Sequence, residues 1–211
     1  MITLYYIART RALRPRWLLE ELSVAYRLVA MTFADTEHPD YRRIQPHGLV
    51  PALVEDEMVI HESSAICAWL AERFPERGLA PALEDRVARA QYLQWLFYAQ
   101  VTLEPPVTQL MFMKWPHEAR DGRPALAHNE VLAAGTRKWF AHLATPLAEH
   151  VRTREFLVGD RLSAADIVVG GVLVWAEAMG LFTPDSTLAH YIGRLKARPA
   201  YEAARLPPPA T

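Results

Sequence analysis

Every strand-like segment of this chain falls within its first 62 residues, and from Asp85 onward the apolar residues recur only at helical spacing. A chain ordered this way cannot alternate strand and helix throughout. It must place a small sheet with its covering helices at one end and a helical bundle at the other. Ile2 to Ile7 is a β-branched and aromatic run, read as a buried strand. A helix is expected from about Arg11 to Leu22, with Pro15 tolerated because first-turn amides have no intrahelical partner to lose. Ala25 to Phe33 supplies a second strand, and a connection of this length predicts parallel pairing with the first.

His38 to Pro46 is polar, carries two prolines and is expected to be a short irregular helix. The segment "HGLVPALVEDEMVIHESSAICAWLAERFP" then divides into a loop at His47 and Gly48, a strand over Ala52 to Val54 and an acidic turn over Glu55 to Glu57. A strand over Met58 to Ile60 and a helix complete it. Ser63 stands at or near the start of that helix, whose Ile66, Trp69, Leu70 and Phe74 form one apolar face. The first part is therefore βαβ followed by ββα.

"PERGLAPALED", residues 75 to 85, reads as a linker. Beyond it, long helices are expected over Arg86 to Met113, with a kink at Pro105 and Pro106, over Pro124 to His150, and over Ser163 to Gly180. Shorter ones are expected over Ser186 to Ala197 and Pro199 to Arg205. Ser163 followed by Asp166 is an acidic variant of the capping box, opening a nearly all-apolar helix, and capping accounts for Asp166 fully. The expected division is an α/β domain over residues 1–78 and an all-α domain over residues 85–211.

Arg9, Arg11, Arg14 and Arg16 crowd one strand-to-helix turn in a chain of 211 residues whose formal charge is only -1. A balanced total gives no field to recruit nucleic acid or an anionic membrane, so any basic site is local. A lone cysteine, Cys67, excludes an internal disulfide framework and a CxxC pair. No apolar leader is read, and the longest apolar run, Ile167 to Ala176, falls short of the roughly 20 residues a bilayer requires. A cytoplasmic protein without nucleic-acid or membrane partners is expected, and no metal set is read.

Val50-Pro51 before a strand, followed eleven residues later by Glu62-Ser63 at a helix start, together with the distant "SAAD" box, resembles the cytosolic glutathione transferases, of bacterial type. That resemblance spans essentially the whole chain. It implies a thioredoxin-like α/β domain followed by an all-α domain, glutathione as co-substrate, a small hydrophobic electrophile as its partner, detoxification, and a two-fold homodimer. It further implies a cis Pro51, with the amide and carbonyl of Val50 holding the cysteinyl part of glutathione. Ser63 would bind the γ-glutamyl carboxylate, and Glu62 would orient the ammonium end.

Two departures from the family pattern leave choices open. No serine or cysteine occurs between residues 1 and 22, and Thr10 occupies the position where many classes carry the thiol-activating serine. Thr10 is placed first as thiol activator and Arg11 next, by charge, with Arg9, Tyr5 and Tyr6 as further choices. Arg14 and Arg16 are expected on a solvated face, paired with Glu20 and Glu21. Leu49 stands where many relatives carry a lysine for the glycine carboxylate of glutathione, so His47, His38, Arg42 and Arg43 are the local replacements. Tyr98, Gln100, Thr102, Met111, Met113 and Trp115 are candidate walls for an electrophile, with residues 114 to 124 as a rim. Peroxidase, dehalogenase or thiol-disulfide chemistry, or a non-catalytic binding or interaction module, are the alternatives to conjugation.

Overall fold

A four-stranded sheet forms from Ile2–Tyr6 (β1), Arg27–Ala30 (β2), Ala52–Glu55 (β3) and Met58–His61 (β4), in the order β2-β1-β3-β4. β1 runs parallel to β2, with Leu4 opposite Leu28, and antiparallel to β3, with Leu4 opposite Leu53. β3 and β4 form an antiparallel hairpin. The computed structural model describes residues 1–114 and 129–206. Within them lie the helices Leu13–Leu22 (α1), Pro39–Ile44 (α2), Ser63–Arg73 (α3), Arg86–Phe97 (α4), Glu104–Lys114 (α5) and Glu130–Val151 (α6). Ala164–Ala178 (α7), Thr187–Lys196 (α8) and Pro199–Arg205 (α9) follow. The expected rim at 114 to 124, Trp115 and the expected helix start at Pro124 fall wholly or mostly outside the described residues.

β2 is shorter than the run Ala25 to Phe33 suggests. Met31 still donates its amide to Tyr6, but Thr32 then turns the chain by donating both its amide (2.6 Å) and its hydroxyl (2.8 Å) to Asp35 Oδ2. α1 begins two residues later than expected because the Thr10 hydroxyl accepts the Ala12 amide and holds the entry as a turn. Pro15 is then the third helical residue, inside the turn that tolerates it.

The interruption expected at Pro105 and Pro106 is a π-helical segment, Tyr98–Leu103, just upstream of them. Neither proline can donate to the carbonyl four residues back, and each ring crowds that carbonyl, so the ladder there slips by one residue.

One continuous apolar core joins the sheet to the helices: Leu4 and Leu53, Trp17 and Leu18 of α1, Ile66 and Leu70 of α3, and Val168 and Val172 of α7. α7 lies at its centre, buried along most of its length. The capping box at its start is formed: Asp166 Oδ2 accepts the Ser163 amide and hydroxyl, both at 2.9 Å. Its other oxygen accepts the Leu157 amide (2.8 Å) and the Tyr191 hydroxyl (2.7 Å), so all four bonds are made away from water. Leu79, in the linker, is buried and its carbonyl accepts the Ala164 amide at 2.8 Å. The linker is thus docked at the start of α7.

The expectation of a solvated Arg14 and Arg16 is overturned, since they are only 1% and 4% exposed. Arg16 donates to the carbonyls of Leu206 (2.6 Å) and Ala203 (3.1 Å) at the end of α9, and its guanidinium lies 4.9 Å over the Tyr6 ring. The last carbonyls of α9 lack intrahelical donors, and a long guanidinium supplies them. Glu21 is held instead by Arg198, at 2.6 and 2.8 Å, and Glu20 accepts the Tyr26 hydroxyl at 2.6 Å.

Candidate functional site

α3 starts at Ser63 because Glu62 turns the backbone with φ 66°, a conformation that favours glycine. A non-glycine residue there is strained by about 1–3 kcal/mol, and such strain collects at functional positions. The Ile66 amide finds the Glu62 carbonyl (2.9 Å), while the amides of the first turn have no intrahelical acceptor. An anion is favoured at such a terminus.

Ser63 is 2% exposed, and its Oγ is approached by two donors: Arg14 Nη1 at 3.2 Å and Gln100 Nε2 at 3.3 Å. Both hydroxyl lone pairs are thereby occupied, so the hydroxyl proton is what Ser63 has left to give. Gln100 Nε2 also reaches Ser64 Oγ at 2.6 Å. Gln100 lies in the π-helical segment, so the helical part of the chain contacts the start of α3 directly.

Behind Ser63 lies a buried carboxylate held by two arginines. Glu104 Oε2 accepts from Arg14 Nη2 at 2.6 Å and Oε1 from Arg11 Nε at 2.5 Å. Burial alone would raise the Glu104 carboxyl, but the two guanidinium groups outweigh it and hold it below the usual glutamate range. Among the described residues, Glu104 is the one carboxylate that pairs with Arg11 and Arg14, so two positive charges share one negative charge beside the anion-favouring helix start. Arg14 is buried while the Arg11 side chain is 40% exposed, so Arg11 can share its remaining N–H groups with a ligand. Trp175 of α7 lies against both, 5.3 Å from the Arg11 guanidinium carbon and 5.7 Å from that of Arg14.

Gly171, one turn before Trp175, permits this approach: a Cβ there would stand 2.6 Å from Arg14 Cγ and 2.7 Å from its Nε. Gly171→Ala is therefore expected to destabilise the protein by about 1–3 kcal/mol, although alanine is intrinsically the better helix former. Thermal unfolding of the variant checks this.

Thr10 is engaged within its own turn. Its hydroxyl donates to the Ile7 carbonyl at 2.7 Å and accepts the Ala12 amide at 3.2 Å. Arg9 is exposed at φ 62°. Tyr6 is buried under Arg16, and Tyr5 is half-buried with its ring 5.4 Å from that of Tyr41.

The Val50-Pro51 bond is cis. The backbone ahead of it is fixed from α2: Tyr41 donates its hydroxyl to the Leu49 carbonyl (2.6 Å), and the Leu49 amide donates to Gln45 Oε1 (3.1 Å). His61 Nε2 lies 2.6 Å from the Ile44 carbonyl, which can only accept, so that nitrogen carries the proton. His47 and Glu62 are exposed. Arg42 is occupied by the Pro46 carbonyl (2.9 Å) and Glu37 (2.6 Å), Arg43 pairs with Asp40, and His38 caps α2.

Of the expected wall residues, Met113 is packed in a small core with Leu110, Ala133 and Met179, and so forms no wall. Tyr98 donates its hydroxyl to the Leu143 carbonyl at 2.5 Å. Burial pushes the Cys67 thiol well up, which disfavours thiolate chemistry there. Glu104, Trp175 and Gly171 were not read from the sequence as site residues. Glu104 carried one available signal, the single acidic residue of its helix, directly before Pro105-Pro106.

No helix among the described residues is long and apolar enough to cross a membrane. Residues 1–72 match the family model of the glutathione S-transferase N-terminal domain, and residues 111–198 that of its C-terminal domain. The glutathione S-transferase GST-4.5 of Xanthomonas campestris is 27% identical over 180 residues, 85% of each chain. Elongation factor 1-gamma of Equus caballus is 30% identical over 141 residues, 65% of this chain but only 28% of that protein. A solved glutathione transferase homologue from Sulfitobacter with bound glutathione superposes with a TM-score of 0.79 at 26% identity, over 97% of both chains. With its two parts matched separately and in order on one fold, the chain belongs to the glutathione S-transferase family.

Proposed function

We propose that the chain binds glutathione and conjugates its thiolate to a small hydrophobic electrophile. The observation that carries this reading is Ser63 at the start of α3: buried, its hydroxyl lone pairs taken by Arg14 and Gln100, and backed by two positive charges that share one negative charge. A hydroxyl so prepared donates to a carboxylate, here the γ-glutamyl carboxylate, while the exposed Glu62 takes the ammonium group. Val50 offers its backbone to the cysteinyl part, ahead of Pro51, and His47, exposed and with no hydrogen-bond partner among the described residues, donates a ring N–H to the glycine carboxylate.

Arg11 replaces Thr10 as first choice for the thiolate partner, because the Thr10 proton is already given to Ile7. The thiolate then attacks the electrophilic carbon, forming the C–S bond as a leaving group departs with its electron pair or as the acceptor takes up a proton. Proximity and charge supply the catalysis, and no covalent enzyme intermediate is needed. On this reading residues 1–78 hold the tripeptide and residues 85–211 face the electrophile, in a cytoplasmic homodimer acting in detoxification.

The occupied Thr10 hydroxyl also favours a second reading, a non-catalytic glutathione-binding module. Calorimetric titration with glutathione, combined with thiolate absorbance across pH, separates the two. Binding with a lowered thiol pKa supports conjugation, binding with an unshifted thiol supports the module, and no heat at millimolar ligand removes both. Ser63→Ala is expected to weaken glutathione binding about tenfold, the loss of one hydrogen bond to a charged group.

A further inference from the structure

The Arg11 guanidinium is fixed from the far side of the fold, and its fixing residues all belong to the helical part. Glu104 at the start of α5 takes Nε at 2.5 Å, and the Trp175 ring of α7 stands 5.3 Å from the guanidinium carbon. A free arginine side chain samples many rotamers. Glu104 holds Arg11 by one hydrogen bond, at Nε, about which the rigid planar guanidinium can still tilt as a unit. A flat aromatic face against the guanidinium removes that freedom, since a guanidinium stacks on an aromatic ring and keeps its edge N–H groups for other acceptors. The same indole covers Arg14 at 5.7 Å, so both cations are held by one ring.

We propose that Trp175 is a positioning residue for Arg11, through which helix α7 sets the pKa of the thiol bound at the opposite part of the chain. The inference rests on the glutathione-conjugating reading and deepens it. Trp175 touches no reacting atom in this scheme; it acts by keeping the charge of Arg11 aimed at the sulfur. The close approach of α7 to α1 that this requires is the one Gly171 allows.

The test is a set of variants titrated with glutathione itself. Trp175→Leu removes the aromatic face, and Trp175→Phe retains a smaller one. The pKa of the bound thiol, read by thiolate absorbance, should rise by about half a pKa unit or more in Trp175→Leu and by less in Trp175→Phe, the size expected from a guanidinium–indole contact. At neutral pH kcat should fall several-fold in Trp175→Leu while KM for glutathione changes little.

A purely packing role would lower thermal stability in both variants and leave the thiol pKa unmoved, and that result overturns the proposal. If Trp175→Leu does not fold, Trp175→Phe decides alone by the same pKa reading. In an Arg11→Met background the Trp175→Phe substitution should no longer shift the thiol; an equal shift in both backgrounds shows that Trp175 does not act through Arg11 and likewise overturns it. Absence of glutathione binding by the unaltered protein defeats the functional reading itself, whereas normal binding with a variant thiol pKa equal to wild type defeats only the role of Trp175.

Discussion

Glu104→Gln is expected to destabilise the protein by about 3–5 kcal/mol, because it leaves Arg14, 1% exposed, buried without its carboxylate. The amide can still accept one bond, but it cannot neutralise two guanidinium groups, and its own N–H₂ faces a donor that has no use for it. The loss should also show in the pH dependence. With the folded Glu104 carboxyl held below its unfolded value, its contribution is fully present above the unfolded pKa of about 4.3 and fades as pH falls through the lower folded value. The stability gap between wild type and Glu104→Gln should therefore be constant near neutrality and narrow only in strong acid. Denaturant unfolding at several pH values measures it. A gap that closed between pH 7 and 5 would mean that the paired carboxylate is not what Glu104 contributes.

The sheet was legible because each of its strands is bounded by turn chemistry and the helix after β4 carries its apolar face at helical spacing. The capping box was legible because Ser163 and Asp166 are three residues apart and need nothing from elsewhere. The arginines of α1 were misjudged for the opposite reason. Arg14 and Arg16 look like surface residues when only their own helix is considered, because the partners that bury them, Glu104, Ser63, Ala203 and Leu206, lie far along the chain. An arginine is a surface residue by default, and only a distant carboxylate or a helix end makes its burial tolerable. Thr10 illustrates the same limit at short range. Its residue type suits thiol activation, but whether its proton is free depends on the Ile7 carbonyl, which the backbone brings to 2.7 Å. The local geometry was therefore legible where motif residues adjoin, in the cis Val50-Pro51 bond and the helix start at Ser63, and hidden where charge is shared across the fold.

Arg11→Met is expected to slow conjugation about 10- to 100-fold at neutral pH, the effect of returning the bound thiol toward its ordinary pKa of about 8.5 by one to two pKa units. The methionine keeps much of the side-chain bulk beside Trp175 and removes the charge together with the bond to Glu104, which Arg14 still pairs. Because the thiolate is the nucleophile, the deficit should shrink as pH rises past the thiol pKa, where wild type and variant are both ionised. A general loss of structure would instead depress the rate equally at all pH values. Thr10→Val supplies the contrast. It removes both hydroxyl bonds, from the Ala12 amide and to the Ile7 carbonyl, at a cost to stability of about 1–2 kcal/mol, but leaves the thiol pKa unchanged, since the threonine proton is already spent on Ile7. Rates measured for both variants from pH 6 to 9 distinguish the two residues. A pH-dependent deficit in Thr10→Val with none in Arg11→Met would return thiol activation to the hydroxyl. The predicted pattern would leave it with a guanidinium whose own partners, Glu104 and Trp175, lie in the other part of the chain.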